Sequence, residues 1–351
     1  MRPLARAAVA AAAALAALPP AAGAVEVLPD LVADPPIDRG LEDRGASLVL
    51  RMDAYIRNQG AGAVELRGSS VMGGVLSDVR QRIFNDDGSV SRDVPVGAVV
   101  RYENHVDHNH FHLQGAARYS LWNEDASREV TGSEKRGFCL TDSFWADAPK
   151  GPPGGSYRTG RHPEFTFCSN NNPNPFDPVV MGISPGWRDD YPARLAFQWV
   201  DVSRLTPGRY VLAAEVDPSS YVFESNELNP FAYAQEVSVI PGYAPRRPPR
   251  RRVRRFKRRR IRLPAVRHVR EGWQEPGAPE FRIVRRPRCG RLSRLPRHGA
   301  FSRPSVVFRA GRRCRGRVSF VYSVRDGASE WPIEAPRARV RLRVGRARTA
   351  R

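Results

Sequence analysis

Residues 47–56 read SLVLRMDAYI and run directly into Asn58-Gln59-Gly60. A short apolar run that stops at an Asn/Gly turn signal is the pattern of a buried strand. The same pattern recurs at Arg118 to Trp122, Leu195 to Val202 and Arg209 to Val216, with Pro207-Gly208 as a further turn. No segment carries an apolar stripe of helical period over several turns. The expected class is all-β. A β-sandwich of roughly 200 residues fits the spacing of strands and turns, and the expected bounds of this domain are residues 25–241.

Composition divides the rest of the chain. Arg246 to Arg262 holds twelve Arg or Lys, two prolines and no acid. A like-charge block repels itself, so residues 242–272 read as an extended Arg-rich linker and a candidate polyanion-binding arm for cell-wall polymer, nucleic acid or anionic membrane. Residues 273–347 read as a second, small β-sandwich, with strand-like runs at Ser305 to Phe308, Arg317 to Val324 and Ala338 to Val344. Its stretch GRVSFVYSVRDGASEWPIEAPRARVRLRV is similar to the tail of immunoglobulin- or cadherin-like repeats, which implies a spacer or adhesive module. The formal charge is +21, nearly all of it arginine. Only three lysines occur, Lys135, Lys150 and Lys257.

The opening residues 1–24 have the form of a secretory signal. Arg2 and Arg6 precede an apolar run from Ala7 to Leu18, and Ala22-Gly23-Ala24 suits cleavage. The run is too short to span a bilayer. A secreted or cell-surface protein without a transmembrane anchor is expected, and export permits disulfides. Four cysteines allow three pairings. The charged gap between the second and third favours Cys139 with Cys168 and Cys289 with Cys314.

The chemistry concentrates in ENHVDHNHFHLQG, residues 103–115, which holds four of the seven histidines. His108, His110 and His112 alternate strictly, so a strand presents them on one face. Neutral imidazole is the usual nitrogen ligand of copper and zinc. Their outer Cα atoms lie about 13 Å apart or less in a bent strand, near the limit for sharing one metal. Asn109 and Phe111 alternate to the opposite face, where they would support the strand. A zinc hydrolase is disfavoured because no general-base Glu adjoins the histidines.

Further blocks accompany the histidines in order. They are LPDLVAD from Leu28, the turn at Asn58, HNHFH from His108, KRGFCLTD from Lys135, GISPGWRDDY ending at Tyr191, FQWVDVSRLTPGRY from Phe197, and PSSYVFESNELN ending at Asn229. Over about Leu28 to Val237 the chain resembles the lysyl oxidase family of secreted copper amine oxidases. That resemblance implies Cu²⁺ on His108, His110 and His112, with His105 just outside the ligand set. It implies a self-derived cofactor, lysine tyrosylquinone, from Lys135 and Tyr191. A quinone takes up a neutral amine, and guanidinium cannot replace lysine in that role. The implied reaction converts a primary amine, peptidyl lysine or small, and O₂ into an aldehyde, hydrogen peroxide and ammonia. Asp189 matches an acid near the tyrosine and is a candidate base, with Asp190 as competitor.

The resemblance also implies a structural Ca²⁺ on Asp30, the carbonyl of Leu31, Glu224, Asn226 and Asn229, a hard oxygen set. Pro230 stands where the family often has a second Asn. Asp107 replaces a family cysteine, and the insert Lys150 to Asn174 has no clear counterpart. The competing expectation is a non-catalytic, metal-containing surface protein that works through its basic segment. An oxidase needs Lys135 and Tyr191 covalently joined, and a binding protein does not.

Overall fold

A computed structural model describes residues 23–68, 71–72, 74–76, 78–105, 108–134, 137–145, 166–168, 179–248, 250–254, 257–273, 276–295, 304–327 and 337–345. The expected signal segment up to residue 22, Lys135, Lys150 and most of the insert lie outside these residues. Among the described residues there is no helix, and the chain is all-β. No described helix is therefore long and apolar enough to cross a membrane.

The run at residues 47–56 is the hub of the first domain. It forms Leu48–Asn58, which pairs with Leu31–Ala33, Ile37–Asp43, Trp187–Tyr191 and Trp199–Asp201. A second sheet sets Val64–Gly68 between Val79–Asn85 and Val179–Ile183. A third sets Ala117–Asn123 between Glu129–Glu134 and Gly208–Val216, and the latter pairs onward with Phe231–Ile240. These sheets share one core, in which Leu48, Leu50, Met52, Phe111, Tyr119 and Phe138 are buried. The strand expected over Leu195 to Val202 shortens to Trp199–Asp201. Phe197 adopts a positive φ of 58°, which breaks the extended backbone before it.

The Asn58 turn explains why that residue type stands there. Asn58 is fully buried. Its Oδ1 accepts from the amides of Asp30 (3.1 Å) and Gly60 (3.0 Å), and its Nδ2 donates to the carbonyls of Gly62 (2.8 Å) and Ile183 (3.0 Å). A Cβ on Gly60 would lie 2.4 Å from the Asp30 amide nitrogen, so only glycine allows this approach.

The Arg-rich segment departs from expectation. Arg251–Arg254 pairs in parallel with Arg337–Gly345, and Arg258–Arg262 pairs antiparallel with Ser305–Arg309. Val253, Ile261 and Leu263 are buried in a second core with Phe308, Phe320 and Tyr322. The segment 246–262 thus supplies strands to both sheets of the second unit and is not a free arm. The physical reason is burial: Val253, Ile261 and Leu263 enter the core, which outweighs the repulsion among arginines that stay in water. Residues 265–273 also adhere to the first domain. Ala265–His268 pairs with Gly242–Pro245, Arg270 forms an ion pair with Asp38 and donates to the Val239 carbonyl (3.2 Å), and Trp273 packs on the first core.

Candidate metal and cofactor site

The histidine run forms one arm of a hairpin. His108–Leu113 pairs antiparallel with Val100–His105, setting His105 opposite His108, Glu103 opposite His110 and Arg101 opposite His112. Phe111 and Leu113 turn into the core. His112 is buried and His110 half-buried, and their ring centroids stand 4.3 Å apart. The side chains of His105, His108 and Asn109 lie outside the described residues. Glu103 brings Oε2 to 3.5 Å from His112 Nδ1, and Gln114 donates to its other oxygen at 3.4 Å.

Gly137 to Cys139 lies along the same hairpin. Leu113 and Phe138 exchange backbone hydrogen bonds of 2.8 and 3.0 Å. Gly137 presses on His112, since a Cβ there would lie 2.4 Å from His112 Cβ. On its other side the segment meets Tyr191: the Phe138 and Tyr191 ring centroids are 4.1 Å apart, and the Tyr191 hydroxyl donates to the Cys139 carbonyl at 3.2 Å. The expected bridge between Cys139 and Cys168 is formed, as is that between Cys289 and Cys314. The Cys168 carbonyl accepts from the Phe111 amide at 2.9 Å, which closes a ring of contacts around the hairpin.

Asp189 shares the inward face of Trp187–Tyr191 and is buried. Burial pushes its carboxyl up to about 8, against hydrogen bonds from Tyr191 and Ser143. The Ser143 hydroxyl donates to Oδ1 at 2.9 Å. Burial, and next the Asp189 charge, hold the Tyr191 phenol well above its ordinary value. Asp190 instead forms an ion pair with Arg188 at 2.6 Å, which leaves Asp189 as the acid inside the site.

A separate cavity of about 140 Å³ is lined by Leu31, Glu215, Asp217, Glu224, Asn226, Glu227 and Asn229. Asp30 stands beside it, taking hydrogen bonds from Gln59 (2.9 Å) and Asn229 (2.9 Å). The Leu31 amide donates to Glu224. Burial pushes Glu224 up to about 8, reinforced by the charges of Asp217, Glu227 and Asp30.

The lysyl oxidase family profile matches residues 160–236. Protein-lysine 6-oxidase of Homo sapiens is 28% identical over 210 residues, which cover 58% of this chain and 44% of that protein. Its counterpart in Sus scrofa is 30% identical over 156 residues, covering 44% and 53% of the two chains. These matches support membership of the lysyl oxidase family at modest identity. The match spans about half the length of these relatives or less. The profile takes in Tyr191 and the Glu224 to Asn229 loop, and it ends before the second β unit.

Within this all-β domain the histidine strand, the segment after Lys135 and Tyr191 meet around Gly137 to Cys139. Lys135 itself lies outside the described residues. Among the described residues no three His, Cys, Asp or Glu side chains converge at metal-binding distance. The donor chemistry nonetheless fits: paired imidazoles on one strand face suit Cu²⁺, and crowded carboxylate, amide and backbone oxygens suit Ca²⁺. Glu103, Ser143, Asp217 and Glu227 escaped sequence reasoning. Glu103 was legible, because a hairpin through residues 105–108 sets it opposite His110. Asp217 and Glu227 gave no signal beyond ordinary turn chemistry.

Proposed function

We propose that this lysyl oxidase family member is a secreted, copper-dependent amine oxidase that converts the primary amine of peptidyl lysine or of a small substrate to an aldehyde, with release of hydrogen peroxide and ammonia. The observation that carries the reading is the Gly137 to Cys139 segment, in contact with His112 on one side and Tyr191 on the other. Lys135 is two residues upstream, so chain length alone keeps it within about 7 Å of Gly137. Two disulfides suit an oxidising exterior.

His108, His110 and His112 would hold the copper, with Glu103 orienting His112 from its Nδ1 side. Lys135 and Tyr191 would form lysine tyrosylquinone, which supplies the electron sink for amine oxidation. The remaining steps belong to the chain. Asp189, with a proton affinity near neutral, takes the proton from the substrate carbon and returns it to solvent through Ser143. The Cys139 carbonyl and the Phe138 ring fix the Tyr191 ring in one orientation and keep water from its faces. Asp30, Leu31, Glu224, Asn226 and Asn229 would hold Ca²⁺ and tie the chain start to the loop after Gly208–Val216.

Peptide mapping after copper loading in air tests the reading. The peptides bearing Lys135 and Tyr191 should travel as one species that stains by redox cycling, and Lys135→Arg should keep copper but lose the joined species. Recovery of both peptides separate and unmodified overturns the oxidase reading in favour of a metal-bearing binding protein.

A further inference from the structure

The second unit has a surface that amine oxidation does not use. In Arg337–Gly345 every second side chain is buried, namely Ala338, Val340, Leu342 and Val344, while Arg339, Arg341 and Arg343 are exposed between them. Neighbouring strands continue the pattern. Arg317 stands opposite Arg343 on one side, and Arg252 stands beside it on the other. Both are exposed. Three guanidinium groups thus lie abreast on adjacent strands about 4.8 Å apart. Like charges directly opposite destabilise a sheet. Among the described residues none of these five arginines has a carboxylate partner, and the one acid on this face, Glu280, is engaged by Arg325 at 2.6 Å. A general drift toward arginine explains many residues. It does not explain a like-charge row on one face whose one described acid, Glu280, is already taken by Arg325.

We infer that the outer face of this four-stranded sheet is a docking surface for a linear phosphodiester polymer of the glycerol phosphate type. Alternate residues of a strand repeat every ~6.8 Å. Two peptide residues contain the same number of backbone bonds as one repeat of a phosphodiester chain with a glycerol spacer, so an extended polymer can meet one arginine per phosphate. Guanidinium grips phosphate by a two-pronged hydrogen bond, which an ammonium cannot do. The described part of this face carries no aromatic side chain on which bases could stack, which argues against single-stranded nucleic acid. The two disulfides place the partner in an oxidising exterior rather than among cytosolic polyanions. The inference is independent of the oxidase reading.

The test titrates full-length protein with poly(glycerol phosphate) over a series of salt concentrations. Binding should weaken linearly on a log–log plot, with a slope of about 0.7–0.9 per phosphate contacted. Arg339→Gln/Arg341→Gln/Arg343→Gln should lower the slope by about 2 and the affinity at least tenfold by the same relation. Arg252→Gln/Arg317→Gln, which flanks Arg343, should act in the same direction, so a folding defect in one variant does not decide the matter. Because like-charge repulsion is relieved, neither variant should melt below the parent. Arg80→Gln/Arg92→Gln/Arg209→Gln removes equal charge from the first domain and should leave the slope unchanged. The inference is overturned if the control variant loses as much as the sheet variants. It is equally overturned if poly(glycerol phosphate) is not bound at physiological salt, or if heparin or duplex DNA is bound through these arginines and poly(glycerol phosphate) is not.

Discussion

Replacing Gly137 by Ala isolates the contact on which the proposed site depends. The added methyl would lie 2.4 Å from His112 Cβ and 2.8 Å from its Cγ. Carbon atoms rest at about 3.5–4.0 Å, so the imidazole or the Gly137 backbone must move by more than an ångström. Gly137 does not have a positive φ, so alanine brings no left-handed strain and the cost is steric alone. Overpacking of this kind costs about 1–3 kcal/mol. For a domain of this size that lowers Tm by roughly 2–12 °C. Displacing a ligand that its surroundings hold in place typically weakens a metal site by about 10–100-fold. The assay is paired: thermal unfolding of the copper-free protein, and copper retention under a graded chelator with the type-2 EPR signal as readout. Gly60→Ala serves as the control, because its methyl would meet the Asp30 amide nitrogen at 2.4 Å, far along the chain from the histidines. It should lower Tm yet leave copper in place. The reasoning is refuted if Gly137→Ala melts with the parent and retains copper equally, or if Gly60→Ala loses copper to the same extent.

Other outcomes follow from the same geometry. Asp189 has a folded-state pKa raised from 3.8 to about 8; above the unfolded value the unfolded chain releases its proton first, so this group destabilises the fold progressively from about pH 4 to about pH 8. Asp189→Asn should therefore gain stability relative to the parent across that window in pH-resolved denaturant melts; a flat difference means the buried proton is not held there. Calcium should raise Tm more at pH 8 than at pH 6, since Glu224, with a pKa of about 8, must shed its proton to bind, and Glu224→Gln should blunt the rise in differential scanning calorimetry. His110→Ala should abolish stoichiometric copper by elemental analysis. Ile261→Ala empties part of the second core and should cost about 2–5 kcal/mol by denaturant melts of that unit, whereas a free arm would register nothing.

The strand grammar was legible because burial and turn chemistry leave local marks. Leu48–Asn58, Ala117–Asn123 and Gly208–Val216 lie within a residue or two of their expected bounds. The histidine strand was legible for the same reason, since alternation is a property of one segment. The Arg-rich segment was misread because charge masked the burial of Val253, Ile261 and Leu263, and because its partners lie far downstream. Gly137 against His112 and Ser143 on Asp189 were not legible at all. They depend on which strands become neighbours, and spacing within one segment carries no record of that.

The pairing of Arg251–Arg254 with Arg337–Gly345 has a consequence for how the protein is made. The first strand of the second unit is held by its last one, with about 80 residues to be closed into a loop between them, and that closure entropy is met before any contact repays it. While the ribosome is still adding those residues, Val253 has no sheet to enter. The first domain can finish folding alone, but the second unit condenses only when Arg337–Gly345 arrives. Until then the growing chain carries a stretch of bare arginines, and these would keep it soluble and exposed to proteases. Premature termination ahead of Arg337 would unzip both ends of that unit at once, leaving the first domain intact with a frayed, cleavable tail.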